Sequence, residues 1–392
     1  MLKASCTRLS SRFLLVLLVL SLFVPCVSYA EQTVLTPGIT VQTMYDDNVH
    51  FDGKGDWEFR VTPSLKLEVS QEDWKIGGGG RAAVFRYNNL SQYDRENYRF
   101  WIDGEKDLNE RFQLNFDASY DYDHTFVDEL TQSGTQTASA LRRKYGFTPG
   151  AKWSLTEKDQ LSFSIPISAI RYAGKDNPDS TATGGVLGWT HIMNNEVVSL
   201  LGQGTYNHYL YDRLDGDTNQ DVFGLMGGMS YNPTELLNLR GLVGLGYYKS
   251  DVTFDSRSNE KTSRGYFSFD LSGTYSREKW KFTLGADRQV SPSTYGESSL
   301  RTRGRASGEY FFTERFSAYL EGAAYNTETG GLVSESKTRT YYVRPWLKYQ
   351  WTEDASIRLE YKHTNTKNRI SGKENHQNRI GLHFQYEYPS FL

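Results

Sequence analysis

Two cysteines, Cys6 and Cys26, are all that the 392-residue chain contains, and both lie in its first thirty residues. A disulfide-stapled extracellular scaffold is therefore excluded for the rest of the chain. Long apolar runs are missing too. Apart from Phe13–Val24, no stretch approaches the roughly 18 residues that a spanning helix needs, so polytopic helical membrane architectures are excluded. Metal-ligand spacing is absent: the seven histidines are scattered, with no HExxH and no nucleophile motif, so neither a metal nor another cofactor is expected. Charge of one sign is also lacking, with 44 Lys+Arg against 47 Asp+Glu, a balance that gives no support to a nucleic-acid partner.

What is present is aromatic. There are 27 Tyr, 21 Phe and 8 Trp, most of them spread from Trp57 to Phe391, in a chain whose mean hydropathy is only -0.60. Disordered chains are poor in such residues, and the accompanying Gly, Asn and Thr belong to strands and turns.

Lys3, Arg8 and Arg12 precede the apolar core Phe13–Val24, and Ser28-Tyr29-Ala30 offers small residues before Glu31. This is the order of a secretory signal peptide, so residues 1–30 are expected to be a removed leader and residues 31–392 the folded unit. Loss of three basic residues leaves 41 basic against 47 acidic, a formal charge of -6.

Within the folded unit the hydrophobic period is two. In Arg111–Asp123, Phe112, Leu114, Phe116, Ala118, Tyr120 and Tyr122 fall on one face, with Gln113, Asn115, Asp117, Ser119, Asp121 and Asp123 on the other. The same strand signature covers Trp57–Val69 and the stretch around Ile380–Tyr388. Short polar turns recur from Glu72-Asp73 to Glu353-Asp354, 281 residues in seven steps of about 40, and longer polar stretches lie between them, one of them at 212–219. Short turns at one end and long loops at the other are the asymmetry of a transmembrane antiparallel β-barrel, with short periplasmic turns and longer extracellular loops. The count is eighteen strands, with sixteen the alternative if the weakly patterned first strand is not one. Trp57, Trp74, Phe112, Trp153, Trp280, Phe316 and Trp351 sit where strands meet turns, as girdle residues would.

If the aromatic phase faces lipid, the polar phase lines a lumen, because charge is costly on the lipid face. That assigns Arg301, Arg303, Arg305, Arg344, Lys348 and Arg358 to a basic wall, and Asp117, Asp121 and Asp123 to an acidic one. Two such walls would orient hydrated solutes by a transverse field. The alternative is that these charges pair with neighbours and satisfy one another. Trp101, Tyr319, Tyr342 and Trp346 share the inward phase and could stack on sugars, and the segment Phe126–Ala140 could fold inward as a constriction.

Arg379–Tyr386 resembles the C-terminal insertion signal of outer-membrane barrels, with Gly381 followed by Phe384 and Tyr386. Thr36-Pro37-Gly38, then Tyr45-Asp46-Asp47-Asn48-Val49, then Val61-Thr62-Pro63-Ser64-Leu65 resemble the opening strands of the beta-barrel porin type 2 family. The resemblance implies an outer-membrane barrel in a Gram-negative bacterium, with a link to exopolysaccharide systems among some members. The expected function is a porin-like channel for passive passage of small hydrophilic solutes or saccharides. The alternative is an outer-membrane component of an exopolysaccharide export or assembly system, and a rim hydrolase ranks below both. Expected partners are outer-membrane lipid, the barrel-insertion machinery and the solute itself. Oligomeric state is not legible.

Overall fold

The structure, a computed structural model, describes residues 32–124, 140–174, 177–194, 196–255, 259–291, 296–329 and 335–391. The expected leader lies outside the described residues, and so does the candidate constriction Phe126–Ala140 except for its last residue.

Alternating sequence becomes extended strand throughout. The elements are β1 (Gln32–Asp46), β2 (Asp56–Ser70), β3 (Trp74–Tyr87), β4 (Arg95–Asn109), β5 (Phe112–His124), β6 (Leu141–Ser154) and β7 (Asp159–Ser164). They continue as β8 (Ile167–Tyr172), β9 (Asp179–Ile192), β10 (Val198–Arg213), β11 (Gly216–Thr234), β12 (Leu237–Val252), β13 (Glu260–Arg277) and β14 (Trp280–Ser291). The last are β15 (Ser299–Phe311), β16 (Phe316–Thr329), β17 (Lys337–Gln350), β18 (Ala355–Asn368), β19 (Glu374–Glu387) and β20 (Ser390–Phe391). Pro166 interrupts one stave, so β7 and β8 are its two halves and both pair with β6 and β9. β20 is a two-residue tail that pairs with β1. The result is a closed antiparallel barrel of eighteen staves: each pairs with its chain neighbours, and β1 joins β19 from Gly38↔Glu387 to Asp46↔Arg379.

Seven of the eight expected turns, and the described residue Asn194 of the eighth, lie at one end, as at Glu278-Lys279 between β13 and β14. The opposite end carries the longer connections, with one correction. The polar stretch 212–219, expected as a long loop, is a hairpin tip of two residues, Leu214-Asp215. Its polar residues alternate rather than cluster: Thr218 and Gln220 face in while Asp217 and Asn219 face out, so the ladder runs on to Arg213↔Gly216. Gly216 makes the corner possible, since its φ is +133° and a Cβ there would lie 1.9 Å from the Thr253 carbonyl oxygen.

The outer face is an apolar belt. Leu225, Leu245, Leu284, Trp153, Phe163 and Phe267 all stand exposed on it, at roughly half to three quarters of their free surface. A belt this continuous suits hydrocarbon, not water. Glycines are placed where rings must lie flat. Gly79 faces the lumen opposite Trp101, and a Cβ there would sit 2.6 Å from the indole ring.

Gly216→Ala should destabilise the barrel by about 1–3 kcal/mol, the cost of a side chain forced into a forbidden backbone region. A urea unfolding titration followed by tryptophan fluorescence should show a lower midpoint; an unchanged midpoint would mean the hairpin relaxes freely.

Candidate functional site: the barrel lumen

Residues paired in register share a face, so the ladders fix which side chains enter the lumen. The nine expected lumen residues all fall on the phase opposite the apolar belt. On β5, Asp117, Asp121 and Asp123 face inward opposite Thr148, Lys144 and Arg142 of β6. On β15, Arg301, Arg303 and Arg305 face inward opposite Thr327, Tyr325 and Ala323. Arg344 and Lys348 of β17 and Arg358 of β18 continue that wall.

Sharing a face does not leave them free. Asp123 is held by Arg142, Nε to Oδ1 at 2.6 Å and Nη2 to Oδ2 at 3.1 Å, and both residues are buried. Asp121 lies 3.6 Å from Arg99. Asp287 takes both Arg303, at 2.6 Å, and Arg301, at 3.4 Å. Arg344 pairs with Glu321 at 2.9 Å, and Arg358 with Glu360 at 3.3 Å. Six of the nine are therefore compensated across the sheet. Among the described residues Asp117, Arg305 and Lys348 have no partner carboxylate or cation in ion-pair range; Asp117 and Lys348 lie in the turn-side half of their strands and Arg305 at the middle of its own.

The aromatic candidates are also engaged. Tyr319 and Trp346 stack on each other with centroids 3.6 Å apart. Arg344 and Arg358 sit over the Trp346 ring at 5.1 and 5.2 Å. The Tyr342 hydroxyl donates to Glu321 while Lys362 lies 4.8 Å above its ring. These rings are wall packing, strengthened by cation–π contact, with little face left for a sugar.

The largest cluster was not anticipated. Where the first and last strands meet, Arg379 of β19 reaches Asp46 of β1 at 3.4 Å and Glu58 of β2 at 3.6 Å. Glu58 also accepts from Arg60 at 2.6 Å and from the Tyr87 hydroxyl at 2.7 Å, and Arg95 lies 3.8 Å away. Gln377 donates to Asp46 at 2.8 Å. Its sequence signal was the inward phase shared by Asp46, Glu58 and Arg379, but which strands adjoin is not written in any one of them. Of the insertion-signal residues on the same strand, Gly381 faces inward against Met44, and Phe384 and Tyr386 face outward opposite Val41 and Ile39. The residues beyond are tied down as well, with Tyr388 N donating to Pro37 O at 3.1 Å.

The lumen is not of uniform width. Towards the turns, Lys66, Asp117 and Lys152 are exposed, and so is Arg305 at the middle of its strand. Towards the loops, Asp46, Arg95, Arg142, Tyr211, Thr218, Thr327 and Thr340 are buried although they face inward. A wide water-filled bore would leave them wet, so packing narrows the loop-side half. Part of that packing is the wall itself. Pairing between β13 and β14 stops at Phe269↔Arg288, and inward-facing Ser268 donates Oγ to the Arg288 carbonyl at 3.0 Å. Beyond that point Val290 packs on Tyr209, Tyr211, Val222 and Tyr248, which line the inner face of β10–β12. Ser298 follows, its N donating to Gln220 Oε1 at 3.0 Å and its Oγ 3.0 Å from the Tyr211 hydroxyl. The loop ends of β14 and β15 thus lean into the bore. A second contact at this end joins two connectors: His50, in a 3-10 turn over Val49–Phe51, stacks on Tyr93 at 4.2 Å, with Nε2 3.5 Å from Arg95. Burial, then the Arg95 charge, hold the His50 pKa down to about 4, so the ring is neutral at pH 7.

No family model matches the chain, and no curated protein matches it. Among solved structures, the ferric citrate transporter FecA in its unliganded form aligns with a TM-score of 0.51 at 11% identity, over 87% of this chain and 60% of that chain. OccAB3 of Acinetobacter baumannii aligns at 0.48 and 12%, over 91% of this chain and 99% of its own. The outer membrane protein OpdK of Pseudomonas aeruginosa aligns at 0.47 and 11%, over 92% and 100%. At such identities the likeness to FecA is one of fold: a closed β-barrel.

Two expectations follow from this geometry. Arg379→Met takes from buried Asp46 its cation and from Glu58 one of three beside the closure seam, and should cost about 3–5 kcal/mol, as buried pairs do when one partner is removed. Arg305→Met, at an exposed site, should stay within about 0.5 kcal/mol of wild type. Equal urea midpoints for the two variants would refute the seam's role. For His50 the folded pKa lies below the ordinary value near 6.5, so its stabilising share is present above about pH 6.5 and lost as pH falls toward 4. Protease cleavage within 47–55 should rise between pH 7 and pH 4, and His50→Gln should flatten that rise.

Proposed function

We propose that the chain is a passive outer-membrane channel of a Gram-negative bacterium, admitting small hydrophilic solutes or saccharides and favouring anionic ones. The observation that carries the reading is the pairing of an apolar outer belt with a charged, solvent-exposed turn-side lumen in one closed barrel. Eighteen staves enclose enough space for an aqueous passage. The belt suits membrane lipid, and the C-terminal strand carries the features that barrel-insertion machinery reads.

The lumen's sign supports the anion preference. On the lumen phase of β14–β19, Lys281, Lys362 and Arg379 join the six basic residues above, nine cations in all. Five carboxylates share that phase: Asp287, Glu309, Glu321, Glu360 and Glu387. A chain of negative net charge thus turns a net positive wall inward, and a low-dielectric wall focuses that field on the bore. The work falls to Arg305 and Lys348, which are uncompensated where the lumen is widest; Arg301 and Arg303 are largely neutralised by Asp287. Nothing in the reading calls for a catalytic group, since wall charge and bore width suffice for selective passage.

Reconstitution into planar bilayers tests it. Steady conductance with a reversal potential favouring chloride over potassium is expected, and the double variant Arg305→Glu, Lys348→Glu should move the reversal potential toward cations. Arg303→Glu alone should move it less. A well-folded barrel that passes no current would overturn the reading.

A further inference from the structure

The inward lean of β14 and β15 has a second product. Behind it, between the inner face of β11–β13 and the loop ends of β14–β17, lies a polar cavity. Its volume is about 370 Å³, towards the lower end of the roughly 300–1,000 Å³ usual for small-molecule sites. Gln220, Tyr248 and Arg264 line it from one side, Glu328, Glu335 and Lys337 from the other, and Val290 and Leu300 form an apolar patch.

The charges on the far side are spoken for. Lys337 pairs with Glu335 at 2.9 Å and faces Glu328 in register, and Glu328 accepts from Asn326 at 3.3 Å. Arg264 is different. It stands opposite Tyr248 on the adjoining strand, it is exposed, and no carboxylate among the described residues comes within ion-pair distance of it. An uncompensated guanidinium facing an enclosed polar space is a fork awaiting a planar anion, which for a small solute means a carboxylate. Around it stand groups that suit hydroxyls. The Gln220 amide oxygen is used by Ser298 N, which leaves its NH2 to donate. Glu328 keeps acceptor capacity for a second hydroxyl.

We propose that this cavity binds a small acidic saccharide of the uronic acid class, one or two rings in size, with its carboxylate on Arg264 and its hydroxyls on Gln220 and Glu328. The proposal deepens the channel reading and rests on it for its biological sense: a hydroxylated carboxylate held at the loop end stands at the mouth of the net positive bore. A plain carboxylate would satisfy Arg264 but leave the hydroxyl partners unused, and a neutral sugar would do the reverse. Both should bind less well.

The test uses the full chain purified and folded in detergent micelles, with folding checked by heat-modifiable gel migration. Calorimetric titration with glucuronate, glucose and acetate should show glucuronate binding at least about tenfold more tightly than either, the scale of one charge-assisted hydrogen bond. Arg264→Gln should erase the advantage over glucose. Arg264→Lys, which keeps the charge without the fork, should retain it in weakened form. The site is overturned if glucuronate and glucose bind alike, if acetate binds as tightly as glucuronate, or if the preference survives in folded Arg264→Gln. Bilayer current recorded from the same preparation separates the two readings. Conductance without a glucuronate preference overturns the site alone, and a preference without conductance overturns the channel alone.

Discussion

Closure is the constraint on which the rest depends. A strand in hydrocarbon has no water to satisfy its backbone, so every stave must find a neighbour on both sides, and the only arrangement without an edge is a ring. The pairing of β1 with β19 completes that ring. It is also where the side-chain chemistry is densest: Asp46, Glu58 and Arg379 bring one strand from the end of the chain and two from its beginning into a single ionic contact. The backbone ladder sets which residues meet, and the ion cluster makes that meeting specific, since a one-residue slip would carry Arg379 to the lipid side.

Once the ring is closed, the period of two does the sorting. Phe112, Leu114 and Phe116 can face hydrocarbon only if Gln113, Asn115 and Asp117 face water, and the same holds on every stave. For this reason the phase of each polar residue was legible in the sequence, from Asp117 on β5 to Arg358 on β18, and so were the strand number and the short turns. What was not legible is whatever depends on partners from other strands. Arg303 reads as a free charge until β14 places Asp287 beside it. Trp346 reads as a sugar platform until Tyr319 and two guanidinium groups cover it. The run 212–219 reads as a loop because polar residues are plentiful there, but a ladder that rises clear of the apolar belt can be polar on both faces. The inward lean at Arg288 leaves no pattern of its own, since Val290 and Leu300 keep the outward phase while the strand beneath them changes course.

The charges divide by function as well as by sign. In the narrowed loop-side half, buried pairs such as Asp123 with Arg142 hold the wall in shape, and their field outside the pair is small. In the turn-side half, isolated charges are solvent-exposed, where they contribute little to stability and much to the potential inside the barrel. One barrel interior thus carries a region of paired charges and a region of isolated ones, distinguished by whether each cation has a carboxylate within reach.

Pro166 gives the wall an uneven resistance to opening. Gly184 N donates to the Pro166 carbonyl at 2.8 Å, but a proline has no N–H with which to return the bond, so that rung is held from one side only. The stave made of β7 and β8 therefore behaves as two strands of six residues each, where its neighbours are continuous over fourteen. Local unfolding begins where cooperative segments are shortest. Slow breathing of this barrel, and with it the exchange of wall amide protons with solvent, is expected to start at that break, away from the seam where β1 joins β19.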